Sequence, residues 1–217
     1  MRWPLVLRNA IQRGRNRSLA VAWTLATAAA LVLTTLVIEL VFVAFLGFLL
    51  LPFVPFAGVV PGLLVGAMQW LVLRRVVPDT GHWILVTGFA FGLACFLTIV
   101  LGFYVLSLAA CAVGAAVIGC AQAALLRRWT GRALMWVPVS VAAWTAAAAV
   151  LLFGPRTVPG LSGPADRLVS WAGGFDTESA LGTALLAGLA AGAISGGAMP
   201  WILDGRVSAP RAQRSLH

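Results

Sequence analysis

The chain has 217 residues, 61% hydrophobic and 10% charged, with a formal net charge of +9. Soluble domains carry about 25% charged residues, so an ordinary water-soluble domain is excluded. All fifteen cations are arginines at the borders of apolar runs, so the charge marks topology and calls for no nucleic-acid partner.

Met1 to Arg17 holds five arginines. The i, i+4, i+8 spacing of Trp3, Leu7 and Ile11 predicts a short amphipathic helix on the bilayer surface, held by anionic lipid headgroups. A basic start before an apolar run also fits a secretory signal. Here the run far outlasts an h-region of about 7 to 15 residues, so it reads as an uncleaved first span.

Leu19 to Leu73 contains a single charge, Glu39. It is too long for one crossing of about 20 residues, and Pro52, Pro55, Gly58 and Pro61 mark where it turns back. This gives spans of about 19–45 and 57–73. His82 to Leu126 is uncharged and divides near Gly102, Tyr104 and Ser107 into spans 82–103 and 107–126. A fifth span covers 133–153, and residues 154–179, rich in Gly, Pro and Ser, form an outer loop. Asp176 or Thr177 caps a sixth span, 180–203. Residues 1–18 are a basic amphipathic flank and 204–217 a basic cytoplasmic tail around the 19–203 membrane domain.

With the N-terminus cytoplasmic, thirteen arginines lie inside and only Arg156 and Arg167 outside, a strong positive-inside bias. Trp3, Trp23, Trp70, Trp83, Trp129, Trp136 and Trp201 gather near the same inner boundary, where an indole anchors at headgroup level. The absence of Lys and the load of Ala, Val and Gly point to a bacterial source, and so to a multi-pass protein of the cytoplasmic membrane.

Gly66 to Arg75, GAMQWLVLRR, repeats the spacing of Gly, Gln and an Arg pair found in Gly119 to Arg128, GCAQAALLRR. Gly197 to Arg206, GAMPWILDGR, is a third echo with Pro200 in the glutamine's place. The alternate helices open on Trp23 with Thr27, Trp83 with Thr87 and Trp136 with Ser140. Such periodicity signals a repeat architecture. The expected fold is all-α and polytopic: six transmembrane helices as three tandem helical hairpins, a pseudo-threefold repeat with both termini cytoplasmic. Gly58, Gly62 and Gly66, then Gly188, Gly192 and Gly196, recur every fourth residue, with Cys111, Ala115 and Gly119 at the matching places on span four. These small faces predict close packing of the even-numbered helices around a common axis.

Few residues are placed for chemistry. Gln69 and Gln122 lie about 7 to 8 Å inside the arginine level, where an amide needs partners such as each other, Thr87 or Ser140. They form either interhelical bonds or a polar vestibule for an ion or headgroup. Glu39 is the one ionisable group well inside an apolar run, hence a candidate proton or cation site unless it reaches the outer interface. Gln69, Gln122 and Glu39 are therefore the candidate ligand site, and Arg74, Arg75, Arg127 and Arg128 the candidate lipid-headgroup contacts. Cys95, Cys111 and Cys120 have no CxxC spacing and read as packing residues. His82 lies at the inner interface beside Trp83 and His217 in the tail, so neither is placed to act as a base or metal ligand within the bilayer. Gly160 to Gly163, GLSG, matches the serine motif of rhomboid-type intramembrane proteases, but it lies in the outer loop with no histidine at depth. No metal, cofactor or catalytic residue is expected.

The phrase G-x-x-Q-W-L-V-L-R-R, with a short link and Trp after it, resembles a bacterial family of multi-span proteins built from repeated hairpins. The resemblance implies an architecture and no activity. Two functions remain: a non-enzymatic structural or partner-binding membrane subunit, its partner a second membrane protein or another copy of itself, or a small transporter or channel using Gln69, Gln122 and Glu39. A lipid-modifying enzyme would need paired carboxylates or a deep histidine.

Overall fold

The structure, a computed structural model, describes residues 5–44, 58–102, 107–157 and 177–204. Six α-helices run in order: α1 Leu5–Ala44, α2 Val59–Leu73, α3 His82–Gly102, α4 Ser107–Leu126, α5 Trp136–Thr157 and α6 Thr177–Asp204. A 3₁₀ turn, Ala133–Met135, leads into α5.

Apolar stretches of α1, α4, α5 and α6 are long enough to cross a membrane: Gly14–Val37, Leu108–Leu126, Ala133–Leu151 and Ala180–Asp204. The apolar parts described for α2 and α3, Val59–Leu73 and His82–Leu97, are shorter. Fifteen residues of α2 span about 22 Å, against about 30 Å of hydrocarbon.

Three boundaries differ from the sequence reading. The basic flank is no separate surface helix, because α1 runs unbroken from Leu5 to Ala44. The fifth helix continues through Gly154 and Pro155 to Thr157, and the sixth begins at Thr177. Pro61 and Pro138 are accommodated because each sits in the first turn of its helix, where the missing donor has no intrahelical partner to lose.

Each helix packs on its neighbours in sequence, and α6 packs along α1, so the six close into a ring. The distribution of polarity is inverted relative to a soluble bundle. Leu25, Leu85, Phe89 and Leu93 are exposed on the outside, while Thr27, Thr87, Gln69, Gln122, Ser140 and Ser195 are buried within. An apolar exterior around a partly polar interior is the arrangement a lipid solvent favours.

The glycines do not face one another across an axis, as their spacing suggested. Each glycine face packs on the next odd-numbered helix in the ring. A Cβ at Gly66 would lie 3.0 Å from Ile84 Cα and Thr87 Cβ of α3, and one at Gly119 would lie 3.0 Å from Val137 Cα of α5. Gly58 abuts Cys95, and Gly62 abuts Phe91, both on α3. On α6, Cβ atoms at Gly188 and Gly192 would lie 2.5 Å from Ala28 Cα and 2.7 Å from Thr24 Cα, and Gly196 faces the Ala20 carbonyl of α1. Only hydrogen at these positions lets the backbones come so close.

Candidate functional site

The Arg-bearing ends of α2 and α4 stop in the same way. Arg74 N–H donates to Trp70 O and Val77 N–H to Leu73 O; Arg127 N–H donates to Ala123 O and Thr130 N–H to Leu126 O. Arg74, Arg75, Arg127 and Arg128 are all exposed there. Their positive charge complements the negative end of the helix dipole.

Just inside that level, Trp23, Trp83 and Trp136 meet at the centre of the ring. Their centroids lie 6.1, 5.7 and 6.3 Å apart, each pair edge to face. This geometry is favourable for aromatic quadrupoles by about 0.5 to 1.5 kcal/mol per pair. The indoles are 0%, 1% and 2% exposed. They are therefore core residues, and the headgroup belt drawn from sequence loses these three members. Trp70 and Trp201 keep a partly open setting, with Arg74 stacked 4.8 Å above the first ring and Arg132 4.9 Å above the second.

A buried indole N–H needs an acceptor, and each finds one on the preceding helix of the ring. Trp83 Nε1 donates to Gln69 Oε1 at 3.2 Å, and Trp136 Nε1 to Gln122 Oε1 at 2.7 Å, with fourteen residues between partners in both cases. Trp23 Nε1 donates to Ser195 Oγ of α6 at 3.0 Å. The third acceptor is thus Ser195, three residues after Gly192. Pro200, aligned with the glutamines by the sequence echo, makes no such bond.

Gln122 also donates from Nε2 to Thr87 Oγ1 at 3.0 Å, so one amide ties α3, α4 and α5 together. Ser195 is too short to do the same: its hydroxyl accepts from Trp23 and donates to Ala191 O at 2.7 Å. Ser140 Oγ on α5 and Thr27 Oγ1 on α1 are buried without a partner.

Beyond this layer the bundle is filled by small and aromatic groups. Ala30, Ala90 and Ala143 are buried seven residues after their tryptophans. Phe91 and Trp144 meet edge to face at 4.9 Å, joining α3 to α5. The sequence reading takes Trp and Thr or Ser as the opening signal of alternate helices. It misses the Ala that extends the signal to an inward stripe at i, i+4, i+7.

The Arg-bearing end of the bundle is stitched by the link after α4. Thr130 Oγ1 donates to Ile202 O at 2.7 Å and accepts from Arg132 N–H, while Arg132 Nη1 donates to Trp201 O at 3.0 Å. Asp79 in the link after α2 takes a left-handed φ of 54°, which Asp tolerates better than most residues.

Gln69 and Gln122, expected from sequence as a polar site, are 3% and 1% exposed with both carbonyl oxygens engaged by indoles. The side chain of Glu39 lies outside the described residues, as do the GLSG loop, the turn at Pro52 and Pro55, and His217. Cys95 and Cys111 are half-buried and Cys120 is exposed. Comparison with family models, characterised proteins and solved structures finds no match, so the hairpin resemblance identifies no family.

Proposed function

We propose that this integral membrane helical protein is a non-enzymatic structural or partner-binding subunit. Its six helices span the bacterial cytoplasmic membrane as three hairpin repeats, with the Arg-rich ends and both termini inside. The repeat is supported by the matched ends of α2 and α4 and by three indoles with three acceptors. The inside assignment is supported by the thirteen-to-two arginine bias. Arg74, Arg75, Arg127 and Arg128 then contact anionic headgroups.

One observation carries the functional reading: the two deep amides are spent on the tryptophans that fill the centre. A carrier built from these repeats would need those groups to face a wet cavity. Reconstitution distinguishes the two. Proteoliposomes of the full chain should pass protons and monovalent cations no faster than empty vesicles, and crosslinking in native membranes should yield one stoichiometric partner. Flux abolished by Glu39→Gln or Gln122→Leu would establish the transporter instead. Topology is read separately, by single cysteines at Pro78 and Gly131 in a cysteine-free background, which an impermeant maleimide should leave unlabelled in intact spheroplasts.

A further inference from the structure

The links after α2 and α4 cover the inner ends of two junctions of the ring. At the α6–α1 junction, where the link after α2 contributes Val76, a cavity of about 180 Å³ remains. Its polar lining is Arg15, Asn16 and Asp204; its apolar lining includes Leu19, Val76 and Leu203. Arg15 and Asp204 are exposed at its mouth, and Leu203 is buried at its base.

We infer that this cavity holds the headgroup of a zwitterionic bilayer lipid carrying a phosphate and a primary ammonium. Arg15 offers a forked set of donors and Asn16 an amide N–H₂, which together suit a phosphate. Asp204 offers a carboxylate at the C-terminal end of α6, where the helix dipole also favours a cation. Asp204 already interacts within the chain, but a carboxylate has about four acceptor sites and serves an ammonium as well. A purely anionic headgroup would leave Asp204 facing negative charge. Leu19, Val76 and Leu203 provide the apolar wall along which the glycerol and first methylenes run. The inference goes beyond the structural role above and needs only that the Arg-rich helix ends lie at a headgroup layer.

The test uses the full chain in neutral detergent, titrated with short-chain phosphatidylethanolamine, phosphatidylcholine and phosphatidylglycerol, and followed by tryptophan fluorescence and thermal melting. Phosphatidylethanolamine should bind about tenfold tighter than either of the others, as expected for one additional charge-assisted bond. Asp204→Asn should abolish that preference while retaining phosphatidylglycerol binding; Arg15→Gln should weaken all three. Both side chains are exposed, so both variants should stay folded, read as a monodisperse species with a cooperative melt. Leu19→Trp, which fills the cavity, should block binding without unfolding the chain. Equal binding of the three lipids, or a preference that survives Asp204→Asn or Leu19→Trp, overturns the inference. Water-soluble phosphoethanolamine should compete only weakly; affinity equal to that of the lipid would overturn the assignment to a bilayer component.

Discussion

The α4/α5 and α6/α1 junctions solve the same packing problem with different means. At α4/α5 a long amide, Gln122, reaches both Trp136 and Thr87, and a linked chain joins the Arg-bearing end. At α6/α1 a short hydroxyl, Ser195, serves Trp23 alone, and the helices approach until Gly188 and Gly192 nearly touch the α1 backbone. Polar reach and close approach are thus alternative ways of joining helices where lipid gives no hydrophobic drive.

The largest effect should come from crowding the tighter junction. Gly192→Leu pushes a side chain into Thr24 and should cost more than about 3 kcal/mol, read as loss of a monodisperse species in detergent. The milder Gly192→Ala should lower the melting temperature further than Gly119→Ala, whose nearest backbone neighbour across the α4/α5 junction is 3.0 Å away. Equal shifts would mean the two junctions are alike.

Removing an indole donor probes the other device. Trp136→Phe strands the buried Gln122 carbonyl oxygen and should cost about 1 to 3 kcal/mol in reversible detergent unfolding. Trp23→Phe should cost less, because Ser195 still donates to Ala191 O.

The hydroxyls one turn further in give a smaller and opposite pair. Thr87→Val loses the Gln122 bond and should destabilise by about 0.6 to 1.7 kcal/mol. Ser140→Ala removes an unpartnered buried hydroxyl and should be neutral or stabilising by about 1 kcal/mol. A loss at Ser140 in the same unfolding assay would reveal a partner there.

Smallest of all, Arg132→Lys keeps the charge over Trp201 but loses the planar fork, and should shift stability by about 0.5 to 1 kcal/mol.

Helix ends are legible wherever charge and hydropathy change together, as at Leu73 before Arg74 and Leu126 before Arg127. Both arginine pairs begin at the residue after the last helical position. The end of α5 is not, because the helix runs past Gly154 and Pro155 to Thr157, where a proline ordinarily ends a helix. Tryptophan placement cannot be decided from composition: near an arginine cluster, an interfacial indole and a buried one look alike. The two are told apart by the later residues of the same face, Thr or Ser four positions on and Ala seven on. Those residues are too small and too polar for a lipid-facing stripe. Ser195 is hidden from the sequence because the echo anchors on Gly197 and Trp201, whereas the close contact with α1 is made by Gly192. Only the tertiary approach of the two helices sets that register.

Ring closure between α6 and α1 also orders events in time. Within the ring α1 is made before α6, so the indole of Trp23 exists before Ser195 does to accept its N–H. The first helix of the ring is thus the last to be completed, and its indole donor stays unmatched until α6 packs against it.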